Sequence, residues 1–260
     1  MDTDVIKKKI DEIAADPQSA FILIDKPIGE PSFRTISQLR QITGQKRIGF
    51  AGTLDPAASG LLVIGFNKAT KLLDVWHQFG KEYEAEITLG QVSTTYDREG
   101  EITTPDPSLV RRGDTDQISL DDIKNTLKQF IGNIEQLPPM YSAKSVAGER
   151  LYNLARQGKE IERSKQKVQI HSIDTVAYTY PLLCLKITCS TGTYIRSLAH
   201  DLGQVLGCGA YLSALRRTAI GPYKVSQAQK MAQIEGNNWR DYWLDLTAWQ
   251  EQLNLGDGKT

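Results

Sequence analysis

The sequence predicts an α+β protein: a mixed, mainly antiparallel sheet with flanking helices and an inserted basic arm. Three observations lead there. Short apolar runs of strand length, Phe21-Ile22-Leu23-Ile24 and Leu61-Leu62-Val63-Ile64, stand beside a strictly alternating segment at 81–89. Helical patterns separate them without alternating strictly with the strands. Strand patterns at 167–178 and 182–189 are joined by a short turn, as an antiparallel pair allows.

Taken in order, residues 1–18 read as a polar helix with Val5, Ile6, Ile10 and Ile13 on one side, ending near Asp16-Pro17. Phe21–Ile24 is a buried strand, and Asp25-Lys26-Pro27-Ile28-Gly29 turns out of it. Phe33, Ile36, Leu39 and Ile42 fit one helix face, with Gly44 as its stop. After Leu61–Ile64, a helix opens at Lys68-Ala69-Thr70-Lys71 and carries Leu72, Leu73 and Trp76. In 81–89, Tyr83, Ala85, Ile87 and Leu89 share one face, and Glu82, Glu84, Glu86 and Thr88 the other, so this strand is half exposed. Ser93 to Gly100 is a polar loop holding Asp97. Ser119-Leu120-Asp121-Asp122 carries a capping-box pattern for a helix with Ile123, Leu127 and Phe130 inside.

Leu137-Pro138-Pro139-Met140-Tyr141-Ser142-Ala143 breaks regular structure, and a basic helix is expected from Gly148 to Gln157. Beyond the two later strands, Ile195, Leu198, Leu202 and Val205 define a helix closed by Gly207, and 210–220 returns as a strand containing Arg216-Arg217. The tail from Ser226 holds helical patterns with an aromatic stripe of Trp239, Tyr242, Trp243, Leu246, Trp249 and Leu253, expected to dock on the body. The domain division is therefore an N-terminal helical extension at 1–19, a main domain at 20–222 with an arm at 132–165, and a helical tail at 223–260.

Composition narrows the class. The chain has 260 residues, 40% hydrophobic and 24% charged, with zero formal net charge, as in ordinary soluble proteins. No apolar run approaches the length of a membrane span, and the N-terminus has no signal-peptide core, so a cytoplasmic location is expected. Cys184, Cys189 and Cys208 form no C-x-x-C pair, and His77, His171 and His200 are scattered, so no metal site is expected. Nothing demands more than a monomer. Charge is uneven: Lys144, Arg150, Arg156, Lys159, Arg163, Lys165 and Lys167 face only Glu149, Glu160 and Glu162 between 140 and 167. That suits a solvated helix face or, more sharply, a phosphate-binding stripe.

Gly52-Thr53-Leu54-Asp55-Pro56-Ala57-Ala58-Ser59-Gly60-Leu61-Leu62 is the stretch that carries chemistry. Pro56 pushes Asp55 out of helical geometry, the glycines permit turns, and the apolar run plants the loop in the core. Asp-Pro also begins ordinary turns. This stretch resembles the catalytic motif of the TruB family, the tRNA pseudouridine-55 synthases, with Asp55 in the place of the essential aspartate. Asp25-Lys26-Pro27-x-Gly29, Lys81-x-Tyr83-x-Ala85, Met140-Tyr141-Ser142-Ala143, Gly192-Thr193-Tyr194-Ile195-Arg196 and Leu215-Arg216-Arg217 follow the same family in order, over roughly 20–222.

The resemblance implies the pseudouridine synthase fold and isomerisation of uridine to pseudouridine in the T-loop of tRNA, without a cofactor. It implies that Tyr83 stacks on a flipped-out base and that Arg196 pairs with the catalytic aspartate. Tyr194 and Leu215 would line the pocket, with Lys26 and Lys71 near the active site. The arm, including Lys144 and Arg150, would grip RNA. Read from the residues alone, Tyr83 also suits a core and Arg196 a surface. Phe50 departs from the family, which usually has histidine there; the ring can stack on a base but cannot donate a hydrogen bond. The chain also departs from longer bacterial members, because the residues after Pro222 are too few for their C-terminal PUA domain. Two other classes stay open. A glycoside hydrolase would need a second carboxylate, for which Asp97 is the nearby candidate. A non-catalytic RNA-binding module would account for Phe50.

Overall fold

Helices and strands fall where the patterns place most of them. A computed structural model describes residues 3–106, 118–140, 145–146, 149–150, 163–236, 238–246 and 249. The chain divides into two units, Met1–Lys81 with Arg216–Thr260, and Glu82–Leu215. The first begins with α1 (Thr3–Ala14), β1 (Phe21–Lys26), α2 (Ser32–Thr43), β2 (Ile48–Ala51), β3 (Ala58–Phe66) and a 3-10 helix (Asn67–Gln78). β4 (Lys81–Leu89) leads into the second, with β5 (Val92–Ser93), β6 (Ile102–Thr103), α3 (Leu120–Leu127), β7 (Gly132–Gln136), β8 (Ser145–Val146) and β9 (Glu149–Arg150). β10 (Gln166–Thr179), β11 (Leu182–Cys189) and α4 (Ile195–Leu206) complete it. β12 (Ala210–Ile220) leads back to the first, followed by β13 (Tyr223–Lys224) and β14 (Gln229–Lys230).

In the first unit β1 and β2 flank β3 antiparallel, and β14 joins β1 in parallel. Both faces of β1 and β3 are covered. Phe21, Leu23, Leu61 and Val63 pack with Ile6, Ile10 and Ile13 of α1 and with Leu72 and Trp76. Ile22, Ile24, Leu62, Ile64 and Phe66 pack with Ile36 and Leu39 of α2 and with Trp239. Two covered faces explain why these strands read as unbroken apolar runs.

In the second unit β12, β4, β11, β10 and β7 follow one another as hydrogen-bonded neighbours, with β10 antiparallel to both β11 and β7. One face takes α3 and α4 through Ile123, Leu127, Leu198 and Leu202. The other carries Glu82, Glu84 and Glu86, which is why β4 alternates. Ser119 caps α3 through the expected box with Asp122. In both units the sheet is mainly antiparallel with helices packed on it, as expected from the sequence.

Several local expectations are corrected. Val5, Phe33 and Val205 are exposed, at 44%, 61% and 47%. α2 instead buries Ser32 and Thr35 beside Ile36 and Leu39, and α4 buries Leu206. Within the expected arm at 132–165, residues 132–136 are strand β7, paired with 166–170. The helix expected from Gly148 does not include Glu149 and Arg150, which pair with Val146 and Ser145 as β9 and β8; residues 151–157 lie outside the described residues.

The tail docks, but not as one helical stripe. Residues 225–227, 231–233 and 238–242 are short 3-10 turns, and Leu244 N–H donates to Phe21 O at 2.8 Å. Trp239 stacks on Phe66 (4.7 Å between ring centres), whereas Trp249 meets Phe21 and Trp76 (5.1 and 5.5 Å). The two tryptophans therefore join different core clusters. Leu253 lies outside the described residues.

Candidate active site

Asp55 sits half buried on the loop between β2 and β3, and the loop is pinned along its length. Ser32 Oγ, at the start of α2, donates to Leu54 O at 2.8 Å and accepts from Leu54 N–H at 3.0 Å. Gly29 N–H donates to Pro56 O at 2.8 Å, and Ala58 N–H to Asp55 O at 3.0 Å. Arg217 Nη2 donates to Gly52 O at 2.9 Å and Nε to Leu61 O at 2.7 Å. Backbone bonds on both sides of Asp55 leave its carboxylate one place to project from.

Lys26 is fully buried, where a lone lysine is ordinarily solvated. Its ammonium donates to Pro27 O at 2.8 Å and Glu30 O at 2.6 Å, and so shapes the turn that meets Pro56. Phe50 lies on β2 opposite Ile64, half buried against the cluster of Ile36 and Leu39. Lys71 is exposed on the 3-10 helix.

The second unit holds Tyr83, Tyr194, Arg196 and Leu215. Tyr83 is 8% exposed on the inner face of β4, and Leu215 is partly buried against the same cluster. Gln136, at the end of β7, donates to Tyr194 O at 3.2 Å and accepts from Tyr194 N–H at 3.0 Å. Ser197 Oγ donates to Leu137 O at 2.8 Å, so β7 anchors the start of α4 from which Arg196 projects.

Arg196 is not a surface residue. Its Nη1 lies 3.1 Å from Asp97 Oδ2, and both side chains are buried, 7% and 4% exposed. Asp97 Oδ1 accepts from Thr95 Oγ1 at 2.6 Å and Glu99 N–H at 3.0 Å, and Arg196 Nη1 also reaches Thr95 O at 3.4 Å. The preceding Tyr96 has a positive φ of 66° and stacks flat on His200, one turn beyond Arg196, at 3.9 Å. Burial holds the His200 imidazole below its usual range, so the stacking partner is neutral at neutral pH. Asp97, which the sequence offers only as a spare carboxylate on a polar loop, is the buried partner of Arg196; the hydroxyls of Thr95 and Ser93, two and four residues before it, donate to it. Lys144 lies outside the described residues, and of Arg150 only the β9 backbone is described.

Comparisons with known proteins agree with the motifs. Residues 40–195 match the profile of the TruB family pseudouridylate synthase N-terminal domain, and 196–252 that of the tRNA pseudouridylate synthase B C-terminal domain. The chain is 44% identical over 212 residues to a tRNA pseudouridine synthase B of Dehalococcoides mccartyi, covering 82% of this chain and 68% of that protein. With a Chlamydia pneumoniae tRNA pseudouridine synthase B it shares 42% over 227 residues, covering 87% and 91%. Among solved structures, a Cbf5–Nop10–Gar1 complex matches with a TM-score of 0.65 and 27% identity. That match covers 90% of this chain, which spans 56% of the other. The chain belongs to the TruB family of pseudouridylate synthases, and it is a pseudouridine synthase.

Proposed function

We propose that this enzyme isomerises uridine to pseudouridine in the T-loop of tRNA, with Asp55 as the catalytic carboxylate. The observation that carries the reading is the pinned Gly52–Leu61 loop, which presents Asp55 from a fixed backbone in the family's motif. The names of the relatives support tRNA as the RNA.

The reaction breaks the bond from N1 of the base to the sugar and makes one from C5 to the same carbon. C5 loses a proton, N1 gains one, and no electrons are exchanged with a partner. Asp55 attacks the base, attacks the sugar carbon or removes a sugar proton. Each route needs an ionised carboxylate and a base out of the stack. In this reading the family motifs assign Tyr83 to stacking on the flipped base and Arg196 to the catalytic aspartate, a cation of the kind that keeps a carboxylate ionised. The family motifs assign Tyr194, Leu215, Lys71 and Phe50 to the substrate site, and Lys26, fully buried, shapes the turn that meets Pro56. Phe50 offers a stacking face where the family's histidine would also donate a hydrogen bond.

Tritium release from C5-labelled uridine in an unmodified T-arm tests this directly. Release of one tritium per RNA, mapped to a single T-loop uridine, is expected. Release from other RNAs but none from the T-arm would remove the substrate assignment.

The arm between β7 and β10 is proposed to hold backbone phosphates, which makes affinity salt-dependent. Lys165→Ala with Lys167→Ala is expected to weaken T-arm binding and to flatten log Kd against log salt by about 0.7–0.9 for each phosphate no longer neutralised. An unchanged slope in the double variant would place the phosphate-binding side chains elsewhere.

A further inference from the structure

The two arginines of the Leu215-Arg216-Arg217 motif leave β12 on opposite faces, as consecutive strand residues do. Arg216 reaches outward, with Nη1 and Nη2 on the two carboxylate oxygens of Asp25 at 3.0 and 2.8 Å and Nη1 3.4 Å from Ser59 Oγ. Arg217 turns inward and is 2% exposed. Its fork spans the base of the Asp55 loop, with Nη2 on Gly52 O at one end and Nε on Leu61 O at the other.

Both loop ends are shaped to admit it. Gly60, in β3, has a φ of +105°, and a Cβ there would lie 2.3 Å from Arg217 O, so β12 backbone passes directly against the start of that strand. Gly52 has a φ of +68°, and a Cβ there would stand 3.3 Å from Arg217 Nη1. Ser32 and Gly29 hold the crest of the loop at Leu54 and Pro56, and Arg217 holds its feet.

We propose that Arg217 is a positioning residue for Asp55: it ties Gly52, where the loop leaves β2, to Leu61 in the strand β3 that the loop enters, and so sets where the carboxylate stands. The inference rests on Asp55 being the catalytic group. It needs an arginine in particular, because a rigid planar fork reaches two separated carbonyls from different nitrogens, whereas an ammonium must draw both carbonyls to one atom. Since Arg217 is buried under the loop, it touches no substrate. Its loss is expected to slow the chemical step and leave RNA affinity in place. Misplacing a reacting group by about 1 Å costs on the order of 100-fold in rate.

The test compares wild type, Arg217→Lys, Arg217→Met and Asp55→Asn by single-turnover tritium release at saturating T-arm RNA. RNA affinity and melting temperature are measured alongside. Arg217→Lys is expected to react about 10- to 100-fold slower with Kd within about twofold of wild type, and Arg217→Met slower again. Wild-type turnover by a folded Arg217→Lys, or a loss confined to affinity, overturns the proposal. If the Arg217 variants do not fold, Gly52→Ala decides. It keeps the arginine but crowds Nη1 and strains the backbone at φ +68°, so retained wild-type turnover is the decisive outcome and overturns the proposal. Asp55→Asn separates the two levels: an active Asp55→Asn overturns the underlying reading, while an inactive one beside a fully active Arg217→Lys overturns only the positioning role.

Discussion

Asp55→Asn is expected to bind T-arm RNA with wild-type affinity and to release no measurable tritium from C5. Asparagine keeps the shape and the acceptor oxygen but cannot ionise, so it can neither take a proton nor attack carbon. Loss of a general base alone lowers a rate by about 10²–10⁴-fold. Loss of a nucleophile removes the route itself, so a residual rate inside that range favours proton abstraction, and no detectable rate favours covalent attack. The loop should survive the change, because Ser32, Gly29 and Arg217 hold it through backbone atoms of Leu54, Pro56, Gly52 and Leu61. A melting temperature within a few degrees of wild type, measured on the same preparation, confirms that chemistry and not folding was removed. An Asp55→Asn enzyme that turns over at the wild-type rate ends the assignment.

Asp97→Ala is expected to damage both stability and rate. The Arg196–Asp97 pair is 3.1 Å apart and almost wholly buried, so deleting the carboxylate strands a guanidinium in the interior. Breaking such a pair costs about 3–5 kcal/mol, which lowers the melting temperature of a protein of this size by on the order of 10 °C. Thr95 Oγ1 and Glu99 N–H also lose their acceptor. Asp97→Asn keeps an oxygen for those two donors and removes the charge, so it should fall between wild type and alanine in a thermal melt. Turnover measured below the melting range should fall in the same order if Arg196 serves the reaction. An unshifted melt for Asp97→Ala would mean that the pair contributes nothing to the fold.

The elements were largely legible because they are local. Continuous apolar runs marked β1 and β3, and strict alternation marked β4; the difference reflects two covered faces in one unit and one in the other. Gly44 and Gly207 stop their helices with positive φ, and Ser119 with Asp122 starts α3, all within a few residues in sequence. The helix faces were less legible at their edges. Val5, Phe33 and Val205 match the helical period, but exposure is decided by what lies opposite, and a period carries no information about that. The tail shows the same limit: its tryptophans keep a helical spacing, yet short 3-10 turns carry Trp239 and Trp249 to different clusters.

At the candidate site, the residue types and the loop that carries them are written locally: an aspartate before proline, glycines at the bends and an apolar strand behind. Tertiary structure alone decided the partners. Asp97 meets Arg196 across 99 residues of chain, Arg217 closes a loop more than 150 residues before it, and Lys26 is buried where a lone lysine would be solvated. The physical reason is one of range. Conformational preferences and capping bonds act over a few residues, whereas a buried charge is satisfied by whichever distant carbonyl or carboxylate the fold brings within about 3 Å.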